Sequence, residues 1–287
     1  MEFIKGYMDN MQYRHALNDL TQEIFGFTFE DWYTAGYFEG EYIPYSYIEN
    51  GQIISNASAN IMKMMQNGKK KLYIQIGTVA TRPEFRHSGL ASELIRKIIS
   101  EYEPHVDGFY LFANVSALDF YEKLGFNRLD QWRYCSNIKP TYKVIDPFQK
   151  AGEELLGRYR HMLQNGVIMT RFDQQNRVSL QLFYTGNMED VYYHSKLDCF
   201  AVMHMEDRVL HLDSIISSKK ISMSDILQHI SQQYDTLVLG FTPDKEDADC
   251  CIVQPYDGED DYRLFYMGSS LEEISTEKLY FPVMSHA

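Results

Sequence analysis

The chain has 287 residues, 45% of them hydrophobic and 14% aromatic, which is enough for two domains of ordinary size. Its formal net charge of −13 argues against a nucleic-acid surface, which needs a basic face. An apolar run of about 18 residues and a charged-then-apolar leader at residues 1–9 are both lacking, so no membrane span or secretion signal is expected and the location is read as cytoplasmic.

Residues 3–6 can form a first strand. In 12–25, Ala16, Leu17, Leu20 and Ile24 recur at helical spacing, which predicts a helix with that side inward. An acidic, aromatic stretch follows at 27–47. Its rings Trp32, Tyr33, Tyr37, Tyr42, Tyr45 and Tyr47 either line a cleft or pack the first helices onto a sheet. Its acids Asp31, Glu39 and Glu41 are either solvated charges or proton acceptors. Residues 42–65 predict a hairpin turning at Glu49, Asn50 and Gly51. Lys69, Lys70 and Lys71 then predict an exposed hairpin tip.

The most informative stretch is 72–99. Residues 72–79 are rich in β-branched and aromatic side chains and read as a buried strand, with Gly77 as its bulge residue. Pro83 stops strand pairing. Leu90, Ala91, Leu94, Ile95, Ile98 and Ile99 then recur on one helical side opposite Glu93, Arg96 and Lys97, so an amphipathic helix starts near Ser88. The first amides of a helix lack intrahelical partners and carry partial positive charge, so the backbone from His87 through Ser88, Gly89, Leu90 and Ala91 to Ser92 can cradle a diphosphate. Gly89 leaves the approach free of a Cβ, and Arg86 adds a charge suited to bidentate phosphate contact. The bland alternative makes these a solvated arginine, a turn glycine and a packing alanine.

Downstream, 108–114 reads as a second buried strand and 117–124 as a short helix, with Ser116 and Asp119 as a capping box and Gly125 as the stop. Asn114 either contacts a ligand or caps that helix.

The spacing R-x-x-G-x-A at 86–91, within V-x-T-x-P-x-x-R at 79–86, resembles motif A of the GNAT superfamily of acyl-CoA-dependent N-acyltransferases. The run Asn114, Ala117, Phe120, Tyr121, Leu124, Gly125, Phe126 resembles its motif B. The resemblance implies that acetyl-CoA is the co-substrate, with its pyrophosphate on the 86–92 loop and its pantetheine along the bulged strand and Asn114. It also implies that the Val79 amide polarises the thioester carbonyl, with Ala80 and Thr81 continuing the contact. Tyr121 becomes the general acid at the departing thiolate; otherwise it is a core aromatic. Many members carry a glutamate base on the motif A strand. Strand 72–81 has no carboxylate, so the base is open among Asp31, Glu39, Glu41 and water.

The expected fold is α/β (α+β): two GNAT-like domains, each a mixed, mostly antiparallel sheet flanked by helices. Residues 1–140 form the catalytic unit, 141–165 a linker and bridging helix near Pro140 and Pro147, with the helix at 148–164, and 166–287 a degenerate second unit. Strands are predicted at 167–172, 178–184, 191–194, 199–204, 209–216 and 236–241, with a helix at 222–233. The second half lacks the arginine–glycine loop and a counterpart of Tyr121. Tandem members of the superfamily, among them aminoglycoside acetyltransferases of the enhanced-intracellular-survival type, pair an active with a degenerate half, and there the terminal carboxylate acts as base. The apolar end of this sequence predicts a buried tail, read as a last strand, with Ala287 or His286 as alternative bases.

Four cysteines, Cys135, Cys199, Cys250 and Cys251, lack C-x-x-C spacing and read as reduced thiols. His204 and His211 face each other across a hairpin if Asp207 and Arg208 turn it. Two ligands do not make a zinc site, so no metal is expected. Glu259, Asp260 and Asp261 read as a solvated turn. These residues point to acetyl transfer onto a small-molecule or peptide amine, which an acidic protein suits, or else to a non-catalytic acyl-CoA sensor. The oligomeric state, a homodimer among the options, is left open.

Overall fold

The computed structural model describes residues 1–137, 144, 146–230 and 233–287. The sequence expectations placed on Pro140 and on residues 231–232 lie outside them. In chain order the first half runs β1 (Glu2–Lys5), α1 (Met11–Phe25), α2 (Glu30–Thr34), β2 (Tyr42–Glu49), β3 (Gln52–Gln66), β4 (Lys69–Thr81), α3 (Leu90–Tyr102), β5 (Gly108–Ala113), α4 (Leu118–Glu122) and β6 (Asn127–Arg128). It continues with β7 (Gln131–Asn137), β8 (Gln149–Lys150), α5 (Leu156–Asn165), β9 (Phe172–Gln174), α6 (Val178–Thr185), β10 (Val191–His194), β11 (Cys199–Glu206) and β12 (Val209–Ser217). Last come α7 (Met223–Leu227), β13 (Thr236–Leu239), α8 (Lys245–Ala248), β14 (Ile252–Tyr256), β15 (Arg263–Met267) and α9 (Glu273–Thr276).

Local chemistry sets the boundaries. Asn10 caps α1 by accepting from Tyr13 N, and Gly26 ends it in the left-handed region. Leu17 and Leu20 are fully buried on its inner side. The β2–β3 hairpin turns at Asn50 and Gly51, both at positive φ. The lysine tip is displaced: Asn67 and Gly68 make the turn, and Lys69–Lys71 already belong to β4.

Two mixed, mostly antiparallel sheets result, as expected. The first has the order β1-β2-β3-β4-β5-β15-β6, with β9 also on β3; the second is β14-β7-β13-β12-β11-β10-β8. Each contains one parallel pair, β4 with β5 and β12 with β13, bridged by a helix. The sheets do not divide at residue 140. β7 crosses into the second sheet between β13 and β14, and β15 returns to the first between β5 and β6. The first half thus gives β7 to the second sheet, and the second half gives β9 and β15 to the first.

The second half corrects several expectations. Residues 178–184 are helical, because Val178, Leu182 and Thr185 bury one side while Ser179 and Gln181 are buried as well. Residues 167–171 are not a strand, the bridging helix starts only at Leu156, and the final segment is a single 3-10 turn, Val283–Ser285, rather than a strand. The tail is buried: Leu279 and Phe281 are fully inside, and Phe281 stacks on Tyr110 with ring centroids 4.3 Å apart.

Candidate active site

Two things happen to β4 after residue 75. Its parallel pairing with β5 covers Tyr73–Gly108, Ile74–Phe109 and Gln75–Tyr110 and stops there. Its register with β3 then jumps from Gly77–Ser58 to Ala80–Asn56, so that Thr78 and Val79 share one opposing residue, Ala57. Thr78 sits at φ +49, a region that a β-branched residue enters only when its surroundings enforce it. Asn56 contributes, with Nδ2 donating to Thr78 O at 2.8 Å. The bulge expected at Gly77 therefore lies one residue on. Gly77 is needed for space instead: a Cβ there would stand 2.6 Å from Ala287 O and 2.9 Å from Asn60 Nδ2.

The loop beyond is open. A 3-10 turn at Pro83–Phe85 leads to His87 and Gly89, both at positive φ, and then to α3. Arg86, His87, Ser88 and Gly89 are exposed. Arg86 Nε donates to Thr81 O at 3.2 Å, and the Ser88 hydroxyl donates to Phe85 O. Glu93 N bonds Gly89 O at 3.0 Å as the helix begins, which leaves the preceding amides as orphan donors. A Cβ on Gly89 would meet nothing within 4 Å, so the space in front of those amides is clear. Leu90 is buried in the core and can offer only its amide; Ala91 and Ser92 are half-buried. Free amides, the positive end of a helix dipole and an exposed arginine form a donor set that fits a diphosphate.

Tyr121 lies behind this corner. It is buried in one cluster with Ile76, Val79, Leu111 and Ala113, the residues flanking the divergence of β4 and β5. Its ring meets Phe126 and Phe265. Among the described residues its hydroxyl makes no hydrogen bond. Burial alone pushes the phenol well above its ordinary pKa, so it stays a neutral donor through the physiological range. Asn114, by contrast, is fully engaged: Oδ1 accepts from Ser116 N at 2.9 Å and Nδ2 donates to Asp261 at 2.6 Å. The capping box expected from Ser116 and Asp119 is absent, since Ala117 precedes α4 without a side-chain cap.

On the other side of the bulge lies a cavity of about 140 Å³ that Thr78 and Ala287 border. The loop between α1 and α2 supplies Phe29, α2 supplies Trp32, and α6 supplies Phe183 and Tyr184. Phe29 lies 4.7 Å from Tyr42 and Trp32 lies 5.9 Å from Phe183, centroid to centroid. Trp32 Nε1 donates to Ser179 O at 2.8 Å, joining α2 to α6. A fork holds that loop: Arg14 donates twice to Glu30, at 3.0 and 3.1 Å, and Asn18 bonds both Glu30 and Phe29 N. Of the three acids expected as bases, Asp31 is exposed and Glu39 pairs with Arg160 at 3.5 Å, whereas Glu41 borders the cavity. Gln75 Nε2 donates to Ala287 O at 3.0 Å. His286 stacks on Phe112 at 3.8 Å, and burial pushes its imidazole down to about 3, far too weak a base to compete for an amine's proton. α6 was missed as a cavity wall because its residues read as a strand. The bulge at Thr78 left no signal beyond the glycine beside it.

Residues 9–126 match the model of the acetyltransferase (GNAT) family. The whole chain is similar in fold to a probable N-acyltransferase from Enterococcus faecalis V583, at 15% identity and a TM-score of 0.58 over 94% of this chain and 73% of that one. It is similar also to GCN5-related N-acetyltransferases from Kribbella flavida (13% identity, TM-score 0.58, 92% of this chain and 70% of that one) and Anabaena variabilis ATCC 29413 (12%, 0.57, 92% and 72%). No curated protein matches the chain by sequence. Among the described residues no helix is long and apolar enough to cross a membrane, and His204, expected opposite His211, stacks on it at 4.7 Å while pairing with Asp213.

Proposed function

We propose that the protein transfers an acetyl group from acetyl-CoA to a primary amine by direct attack in a ternary complex. One observation carries this reading: the divergence of β4 from β5 opens between an uncovered helix N-terminus and a buried tyrosine whose hydroxyl has no hydrogen-bond partner among the described residues. The amides from His87 to Ser92, with Arg86, hold the pyrophosphate. The Val79 amide, with Ala80 and Thr81 beyond it, lies along the thioester arm; loss of one such donor typically costs about 3 kcal/mol of transition-state stabilisation. As the amine nitrogen bonds to the carbonyl carbon the C–S bond breaks, and the electron pair leaves on sulfur.

Tyr121 serves that sulfur as a hydrogen-bond donor. A thiol ionises near 8.5 and this phenol well above 10, so the thiolate does not strip the phenol; it is stabilised by it, and the proton it finally carries comes from the amine. Asn114, held by Ser116 and Asp261, contributes by fixing the end of β5 beside the arm.

The test is thiol release from acetyl-CoA over a panel of amines, wild type against Tyr121→Phe. Acceptor-dependent turnover that falls in the variant while CoA affinity holds is the expected result. A second reading, a non-catalytic acyl-CoA sensor, is favoured by the lack of any carboxylate on β4; tight CoA binding without turnover on any amine would decide for it.

A further inference from the structure

The cavity beside Thr78 has a size and chemistry that select among amines. Resting on the acetyl-transfer reading, we infer that it is the acceptor subsite, and that its acceptor is a primary amine with a compact, ring-sized apolar body and a hydrogen-bond donor at the end remote from the bulge.

Size comes first. A cavity of about 140 Å³ is close to the roughly 150 Å³ apolar cavity that takes a benzene molecule, so one six-membered ring fills it. An aminoglycoside or an extended peptide does not fit inside. The walls are aromatic and fixed, because Phe29, Trp32, Tyr42 and Phe183 contact one another across α2, β2 and α6. Such walls favour a planar apolar body or a cation against ring faces.

Polarity comes second. Among the described residues three that border the cavity carry a buried polar atom with no hydrogen-bond partner, Glu41 Oε2, Gln174 Oε1 and the Tyr42 hydroxyl, and the first two can only accept. Glu41 receives only a 3.4 Å contact from Asn176 Nδ2 on its other oxygen, and no cation pairs with it among the described residues. A buried carboxylate oxygen left bare is costly, and a donor carried in by a ligand is what relieves it. Glu41 directly precedes β2 level with Ile61, whereas Thr78 on β4 lies two strands across and about four residues further along, opposite Ala57, so their backbones are roughly 16 Å apart and the Glu41 side chain, which borders the cavity, takes up part of that span. A nitrogen at the bulge and a donor at Glu41 are therefore at opposite ends of a molecule about one ring and a short arm long. The reactive amine faces Thr78, the ring lies among the aromatic walls, and the distal hydroxyl or amino group meets Glu41.

The experiment uses the full chain saturated with acetyl-CoA for turnover and with CoA for binding by calorimetry. The probes are 2-phenylethylamine, tyramine, putrescine, kanamycin and a lysine-containing peptide. Tyramine is expected to exceed 2-phenylethylamine by about tenfold in affinity and kcat/KM, since a hydrogen bond to a charged group supplies on that order. Glu41→Gln brings the tyramine-to-2-phenylethylamine ratio, read within the same enzyme, down to less than about twofold. Leu180→Phe, which fills the cavity from α6, weakens both ring amines by more than tenfold with CoA affinity intact. Kanamycin or peptide turnover that equals tyramine turnover and ignores Leu180→Phe overturns the subsite while leaving acetyl transfer standing. Ring amines that bind with the stated dependence on Glu41 and Leu180, with no thiol release from any amine, preserve the subsite and sink acetyl transfer. Absence of ring-amine binding overturns the subsite outright.

Discussion

The two halves repeat one device and treat it differently. In the first, β4 bulges at Thr78 and Val79, leaves β5 after three paired residues, and feeds α3 across an exposed loop. In the second, β12 skips a residue at Asp213 against β11, runs parallel to β13 only from 209 to 212, and feeds α7. The openings differ in what fills them. The amides at the start of α3 face clear space at Gly89. Those at the start of α7 are already used: Ser222 accepts from Asp225 N, and both oxygens of Asp247 accept from Met223 N at 3.2 and 3.3 Å. The protein's own carboxylate occupies the place where the first half leaves room for an anion. The second divergence is closed too, by Val283 N bonding Gly240 O at 2.8 Å. A bulged strand and crossover helix are thus compatible with either a binding site or plain structure, and the difference lies in whether the donors are left unspent.

The sharpest way to break this comparison is at the one side chain the second half lacks. Tyr121→Phe keeps the ring packing and removes the donor, so kcat should fall by roughly 100-fold or more with CoA affinity unchanged, measured by thiol release and calorimetry. In the wild type the phenol remains protonated through pH 9, because burial raises it, so no loss of kcat from its ionisation is expected between pH 6 and 9. A basic-limb loss that disappears in Tyr121→Phe would contradict this. Next in size, Gly89→Val forces a β-branched residue into φ +85 in the loop before α3 that is proposed to hold the pyrophosphate. CoA affinity should drop about tenfold, while chemical denaturation shows a loss of about 1–2 kcal/mol.

The device in the first half was legible because its signals are local. The β-branched and aromatic run in 72–79, the helical spacing of Leu90, Leu94 and Ile98, and the turn residues around Pro83 act within a few residues of each other, and β4, α3 and β5 fall where they predict. The second half was less so. Val178, Leu180, Leu182 and Tyr184 alternate as a strand would, yet the segment is a helix, because Gln181 and Ser179 are buried with partners and erase the polar side that marks an amphipathic helix. The exchange of β7 and β15 between sheets left no trace in sequence, since strand pairing over more than a hundred residues depends on tertiary packing rather than on local pattern. For the same reason Glu41 could be named as an acid of interest without any means of telling it from Asp31.

Two smaller effects belong to the second half. Asp247→Ala uncovers the start of α7 and should cost about 1 kcal/mol of stability, on the scale of a lost helix cap, with CoA affinity and turnover unchanged. If CoA affinity moved with it, the second crossover would not be the closed counterpart described above. The smallest is at the second bulge. Asp213 holds His204 Nδ1 at 3.0 Å and raises its pKa, while burial and His204 lower that of His211. A raised histidine stabilises the fold below its unfolded value near 6.5 and loses that contribution as pH climbs through the folded value. A lowered histidine works the other way, weakening the fold as pH falls below about 6.5, and Asp213 also moderates that shift. Asp213→Asn therefore removes support from both rings on the acid side. Because His204 is well exposed the loss should stay below about 1 kcal/mol, visible in urea denaturation at pH 5.5 and smaller at pH 8. An equal loss at both pH values would mean that Asp213 acts through the shape of the bulge rather than through its charge, as Thr78, which has none, does on β4.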